Sequence, residues 1–157
     1  MKDRKKSYIA LGANLGNPEQ TLHQAIHVMS QTPGIVVNKI SSFYQTAPID
    51  SKGDDYINAV VEIYTTLSPM DLLQTLQKIE LDFGRERPYK NAPRTLDLDV
   101  LLYEGYQSQD AILTIPHPRM YERAFVLVPL KEIATQEVSD EMLSAVSEQS
   151  IFRLSES

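Results

Sequence analysis

The sequence predicts an α+β domain of the ferredoxin-like kind, a mainly antiparallel sheet with helices packed on it. Three observations carry this: strand–helix–strand order occurs twice, both helical stretches are amphipathic, and the strict alternation of a parallel doubly wound sheet is missing. Residues 8–13 read as a short strand running into the turn cluster Gly12-Ala13-Asn14-Leu15-Gly16-Asn17-Pro18. Asn17, Pro18 and Glu19 form a helix start, because a side-chain oxygen caps free N–H groups and proline costs little in the first turn. Leu22, Ala25, Ile26 and Met29 then recur at helical spacing until Pro33-Gly34. Residues 35–44 are rich in β-branched side chains and predict one strand, and 46–55 read as a loop. Strand character returns over 56–67, and Ser68-Pro69 with Asp71 opens a second helix. Its buried stripe is Leu72, Leu73, Leu76, Ile79 and Phe83, with Gly84 at its end. At 100° per residue Glu80 falls within about 60° of Leu73, Leu76 and Phe83, so a carboxylate sits on the apolar stripe and needs partners. Residues 85–94 read as loop and 95–103 as strand. After Gly105 come a polar connection, an apolar run at 113–117, a Pro118 turn and a helical region over 119–133. From Thr135 the Ser- and Glu-rich composition predicts a solvent-facing terminal element.

Composition bounds the function. The chain has 157 residues, 42% apolar and 23% charged, which is the makeup of one globular domain and excludes a disordered or collagen-like chain. A single domain over 1–157 is expected. With no cysteine, thiolate metal sites and thiol nucleophiles are excluded, leaving carboxylates and imidazoles. No apolar run approaches the roughly 18 residues of a membrane span, and residues 2–6 are not followed by a signal-peptide core, so a cytoplasmic location without membrane association is expected. A net charge of −6 argues against general nucleic-acid binding, which is driven by counterion release at a basic surface. The window 85–123 is nevertheless neutral, with Arg85, Arg87, Lys90, Arg94, Arg119 and Arg123 against six acids, while the remainder holds nine basic and fifteen acidic residues. That pattern suits a small, highly charged anion.

Chemistry concentrates in three stretches. In Pro93-Arg94-Thr95-Leu96-Asp97-Leu98-Asp99-Val100-Leu101-Leu102, a period of two places Leu96, Leu98, Val100 and Leu102 on one face and Asp97 with Asp99 on the other. Their Cα atoms would lie roughly 7 Å apart, within reach of one cation or two adjacent ones. All-oxygen ligands favour a hard ion such as Mg²⁺, which takes one or two carboxylates plus substrate phosphates. An isolated Asp-x-Asp is commonly just a wet strand face; Arg94 three residues upstream sets this one apart. The second stretch, Gly84-Arg85-Glu86-Arg87 followed by Lys90 and Arg94, offers guanidinium forks that match phosphate oxygens, or alternatively charges that complement a helix C-terminus. The third, Thr114-Ile115-Pro116-His117-Pro118-Arg119-Met120 with Arg123-Ala124-Phe125, holds a histidine between prolines and an aromatic that is either core or a lid on a flat heterocycle. Neither a P-loop nor a Rossmann glycine fingerprint is present.

These stretches, together with Leu11-Gly12-Ala13-Asn14-Leu15-Gly16 and Asp55-Tyr56-Ile57-Asn58-Ala59, resemble the 6-hydroxymethyl-7,8-dihydropterin pyrophosphokinase family of folate biosynthesis. The motifs run in the family's order from residue 8 to about 133. The resemblance implies transfer of pyrophosphate from MgATP to the pterin hydroxymethyl group with release of AMP. It implies that Asp97 and Asp99 hold two Mg²⁺ ions and that Arg85 and Arg94 are phosphate-binding and catalytic. Glu80, Arg87, His117 and Arg123 are then ATP contacts. Asn58 reads the pterin edge, Tyr56 and Phe125 sandwich its ring, and Thr46, Pro48 and Ile49 belong to the segment that supplies backbone contacts. The length matches the monofunctional enzyme, acting as a monomer on small molecules. Ala92 and Asn91 stand where the family often has Gly and, in some members, Trp, and Thr46-Ala47-Pro48 replaces a frequent Thr-Pro-Pro. Two rivals remain at this point. A two-metal phosphohydrolase would use the aspartates but not Tyr56, Asn58 and Phe125. An RNA-binding module would show aromatic-rich strands and a basic sheet face, neither of which is present.

Overall fold

β1 (Lys5–Ala13) runs through the interior of an antiparallel sheet, between β5 (Asp97–Tyr103) and β4 (Tyr56–Thr65). The computed structural model describes residues 4–14, 16–47, 55–84 and 96–154, so Pro48, Ile49, Arg85, Arg87 and Arg94 lie outside the described residues. β2 (Ile35–Ile40) and β3 (Tyr44–Thr46) both pair with β4. With α1 (Pro18–Ser30) and α2 (Pro69–Phe83) between strands, the chain follows the βαββαβ path of a ferredoxin-like sandwich with its second strand divided into β2 and β3. A ribbon of β6 (Ser108–Gln109) and β7 (Thr114–Ile115) follows, then α3 (Ala124–Ile133), α4 (Asp140–Ala145) and β8 (Phe152–Arg153).

Local chemistry places the first two helices as expected. Asn17 Oδ1 accepts the Gln20 N–H at 3.1 Å and Ser68 Oγ accepts the Asp71 N–H at 3.1 Å, each just ahead of a proline in the first turn. Leu22, Ala25, Ile26 and Met29 of α1 and Leu72, Leu76 and Ile79 of α2 pack against Ile9, Leu11, Leu96, Leu98 and Val100 in one core. A second core lies on the opposite sheet face, where Leu127 and Leu130 of α3 meet Tyr8, Val60 and Leu101. Helices therefore cover both faces of the sheet. No helix among the described residues is long and apolar enough to cross a membrane.

Three expectations are corrected. Residues 35–44 are two strands: between them the Ser41 N–H donates to Val60 O and Ser41 Oγ accepts the Val60 N–H, both at 2.9 Å, so a side chain substitutes for the ladder and the strand breaks. Where β5 pairs with β1 the register shifts between Tyr8 and Ile9 of β1, leaving Leu101 of β5 as the extra residue. This bulge turns Leu102 toward the α3 side, away from the face of Leu96, Leu98 and Val100. Finally, the segment after Thr135 is not merely solvent-facing. Val138 and Val146 are buried in the α3 core and β8 pairs with β3. Within 119–133, a 3₁₀ turn at Met120–Glu122 is separated from α3 by the extended residue Arg123.

Glu62 of β4 is 2% exposed. Its carboxylate accepts from the Tyr8 hydroxyl at 3.0 Å and Asn38 Nδ2 at 2.8 Å, and Lys6 Nζ stands 3.6 Å away. Burial pushes its pKa up, but the bonds from Asn38 and Tyr8 and the charges of Lys39 and Lys6 outweigh that and hold it below the usual range. A depressed folded pKa stabilises fully above the unfolded value of about 4.3, and the contribution is lost as pH falls through the folded pKa. Denaturant titrations across pH should show this: Glu62→Gln lowers stability at neutral pH and makes the acid-side decline shallower than in the parent.

Candidate active site

The cleft follows from the sheet register. Gly12 of β1 lies opposite Asp97 of β5 on one side and Asn58 of β4 on the other, and Ala10 lies opposite Asp99. Cross-strand partners share a face, so two small residues form a floor between a carboxylate bank and an amide bank roughly 9–10 Å apart, two strand spacings. This floor lies under a cleft of about 400 Å³. Thr46, Ala47 and Tyr56 line its Asn58 side, and Arg119, Arg123, Phe125 and Val126 complete its lining from the turn before α3 and that helix's first residues.

On the carboxylate bank, Asp97 and Asp99 both line the cleft while Leu96, Leu98 and Val100 are buried beneath α1 and α2. The backbone between the two aspartates is held from behind. Glu80 Oε2, on the last turn of α2, accepts the Leu98 N–H at 2.7 Å, which accounts for its place on an apolar stripe. Among the described residues β5 ends this sheet, so that outward N–H has no strand partner there and a carboxylate satisfies it. Among the described residues no group of three or more His, Asp or Glu side chains converges as a metal site. Two hard oxygen donors beside an open cleft nonetheless match the few protein ligands that Mg²⁺ takes when phosphate and water supply the rest.

On the amide bank, Asn58 is 4% exposed and its Nδ2 donates to Thr46 Oγ1 at 2.8 Å. A Cβ on Gly12 would stand 3.1 Å from Asn58 Oδ1. Gly12 is thus required for close approach of the amide rather than for a turn, where the sequence reading placed it. Arg123 carries its guanidinium 5.3 Å from the Phe125 ring centroid, a cation–π distance.

The sequence matches known proteins closely enough to identify the family. The family model for 7,8-dihydro-6-hydroxymethylpterin-pyrophosphokinase (HPPK) matches residues 8–135. A Bacillus subtilis protein named 2-amino-4-hydroxy-6-hydroxymethyldihydropteridine pyrophosphokinase is 44% identical over 144 residues, covering 91% of this chain and 86% of its own. The chain belongs to the HPPK family. A Haemophilus influenzae HPPK of the same name is 48% identical over 130 residues, covering 82% of this chain and 81% of its own. A crystal structure of a Plasmodium falciparum HPPK-DHPS triple mutant superposes with a TM-score of 0.69 at 14% identity, covering 83% of this chain and 41% of that longer one, a likeness of fold alone.

Within this HPPK fold, the described candidates Thr46, Tyr56, Asn58, Asp97, Asp99, Arg123 and Phe125 share the cleft. Glu80 and His117 are not among its lining residues. Glu80 stands behind β5. His117 is half-buried near Asp99, Arg119 and Arg123, and its Nδ1 accepts the Arg119 N–H at 3.2 Å. A neutral ring held this way carries its proton on Nε2. Burial pushes its pKa down; the Asp99 charge opposes this, and Arg123 and Arg119 add to it. Sequence reasoning placed Ala47 in the 46–49 segment of backbone contacts but did not assign Ala10, Leu11, Gly12, Arg119 and Val126 to the site. The period-two pair Ala10 and Gly12 was a usable signal, whereas Arg119 stood within a motif without a role of its own.

Gly12→Ala tests the floor. Because Asn58 is pinned by Thr46, the added methyl is expected to cost about 1–3 kcal/mol of overpacking. Denaturant unfolding should report that loss, and it should shrink when Gly12→Ala is made in an Asn58→Ala background.

Proposed function

We propose that this chain transfers a pyrophosphoryl group from ATP to the hydroxymethyl group of 6-hydroxymethyl-7,8-dihydropterin in folate biosynthesis, giving AMP and (7,8-dihydropterin-6-yl)methyl diphosphate. The observation that carries this is the row Asp97–Gly12–Asn58, which sets a carboxylate pair and a buried amide on opposite banks of one cleft. Asn58 hydrogen-bonds the pterin edge, with the Thr46 hydroxyl fixing its orientation, while Tyr56 and Phe125 enclose the ring. Asp97 and Asp99 are the residues that would hold two Mg²⁺ ions; bound there, the metal would neutralise phosphate charge and make the hydroxymethyl oxygen more acidic. Arg123 and Arg87 contact the nucleotide, with His117 offering its Nε2–H nearby. Arg85 and Arg94 clamp the moving group.

The bond that forms joins the hydroxymethyl oxygen to the β-phosphorus, and the bond that breaks releases AMP from the same phosphorus. Little covalent work falls to the protein: the residues hold donor and acceptor in line and offset charge. A phosphohydrolase reading assigns no task to Asn58, Tyr56 and Phe125, and nothing favours it.

Incubating protein, MgATP and 6-hydroxymethyl-7,8-dihydropterin should yield AMP rather than ADP, dependent on pterin. ATP breakdown without pterin would instead mark a hydrolase. Asp97→Ala and Asp99→Ala are each expected to lower AMP formation by at least about a hundredfold with unchanged far-UV circular dichroism, consistent with loss of charge stabilisation at the reacting group. Arg94→Ala is expected to depress kcat far more than pterin affinity, because its contact strengthens in the transition state. Steady-state kinetics beside a pterin-binding titration would separate the two.

A further inference from the structure

Arg123 immediately precedes α3 and supplies no side-chain cap to the free N–H groups of its first turn. Gln149 takes that role from 25 residues downstream: its Oε1 accepts the Ala124 N–H at 2.8 Å. Its Nε2 donates to the Glu122 carbonyl, also at 2.8 Å. The two bonds fall on either side of Arg123, whose backbone is extended at φ −128° and ψ 115°. A backbone donor on one side and an acceptor on the other admit only one orientation of the amide, so both bonds form together or neither does well. Gln149 is itself anchored. Its N–H bonds the Val146 carbonyl at 3.0 Å, and Val146 is buried in the α3-side core.

We infer that Gln149 is a positioning residue for the nucleotide side of the cleft, acting through the backbone around Arg123 to set how that guanidinium enters it. Gln149 lies beyond residues 8–135, so it is a contribution from outside the part of the chain that the family model matches. The inference rests on the reading of Arg123 as a nucleotide contact. Gln149→Glu keeps the acceptor for the Ala124 N–H but loses the donor to Glu122, whereas Gln149→Ala loses both.

Steady-state kinetics with both substrates varied, thermal unfolding, and the Arg123→Ala variant form the test. Gln149→Ala is expected to raise KM for MgATP about three- to tenfold, the scale of hydrogen bonds of this kind, with KM for the pterin within about twofold. Gln149→Glu, which sets a carboxylate oxygen against the Glu122 carbonyl, should recover none of that loss. In an Arg123→Ala background, Gln149→Ala should add little. An unchanged KM for MgATP in Gln149→Ala, while Arg123→Ala weakens it, overturns the inference and leaves the reading of Arg123 standing. Equal losses for both substrates alongside a lowered unfolding temperature also overturn it, as a purely structural role. If Arg123→Ala itself leaves MgATP kinetics unaltered, the nucleotide reading of Arg123 falls and the inference with it.

Discussion

The cleft depends on the antiparallel register that sets Asp97, Gly12 and Asn58 in one row across β5, β1 and β4. A sheet alternates its side chains with a period of two, so a slip of one residue in β5 would send both aspartates into the core beneath α1 and α2 and bring Leu98 into the cleft. Burying an unpaired carboxylate is costly enough that the apolar set Leu96, Leu98 and Val100 specifies the register strongly. Function and stability are thus tied to the same alternation, and the Glu80 contact with the Leu98 N–H reinforces it at the open edge.

That tie holds only over the stretch that forms the cleft. Beyond Val100 the bulge at Leu101 resets the alternation, so Leu101 and Leu102 pack on the α3 side and Tyr103 returns to the helix core. One strand therefore serves an open, polar cleft at one end and two apolar layers at the other. The floor has a similar division. Ala10 and Gly12 leave space where ligands would lie, while Tyr8 on the same strand face fills the core and bonds the buried Glu62.

The side that α3 contributes is assembled from distant pieces. Glu132, near the end of α3, accepts the Ser42 N–H at 3.0 Å and the Tyr44 hydroxyl at 2.7 Å, joining the helix to the strand that ends at Thr46. Burial and the bond to that carboxylate both push the Tyr44 pKa up, so the phenol remains a donor throughout the neutral range. β8 then pairs with β3 on its outer edge. Both the amide bank and the start of α3 are in this way braced by chain that follows the shared domain, through β8 and through Gln149.

Residues close in sequence were legible because their geometry is local. Asn17-Pro18 and Ser68-Pro69 cap helices by reaching three residues ahead, and the Asp97 and Asp99 pair shares a face because pleating alone demands it. The motif order carried the family as well. What the sequence could not specify were the contacts whose partners lie far along the chain. The break at Ser41 depends on Val60, the bulge at Leu101 on pairing with β1, and Gly12 matters through Asn58 opposite it. The cap on α3 comes from Gln149, and the terminal segment is buried because it has a sheet edge and a helix to cover. Periodicity determined by itself which side chains share a face; only tertiary packing decided which faces meet, since that choice is made by burial between elements and leaves no local period to read.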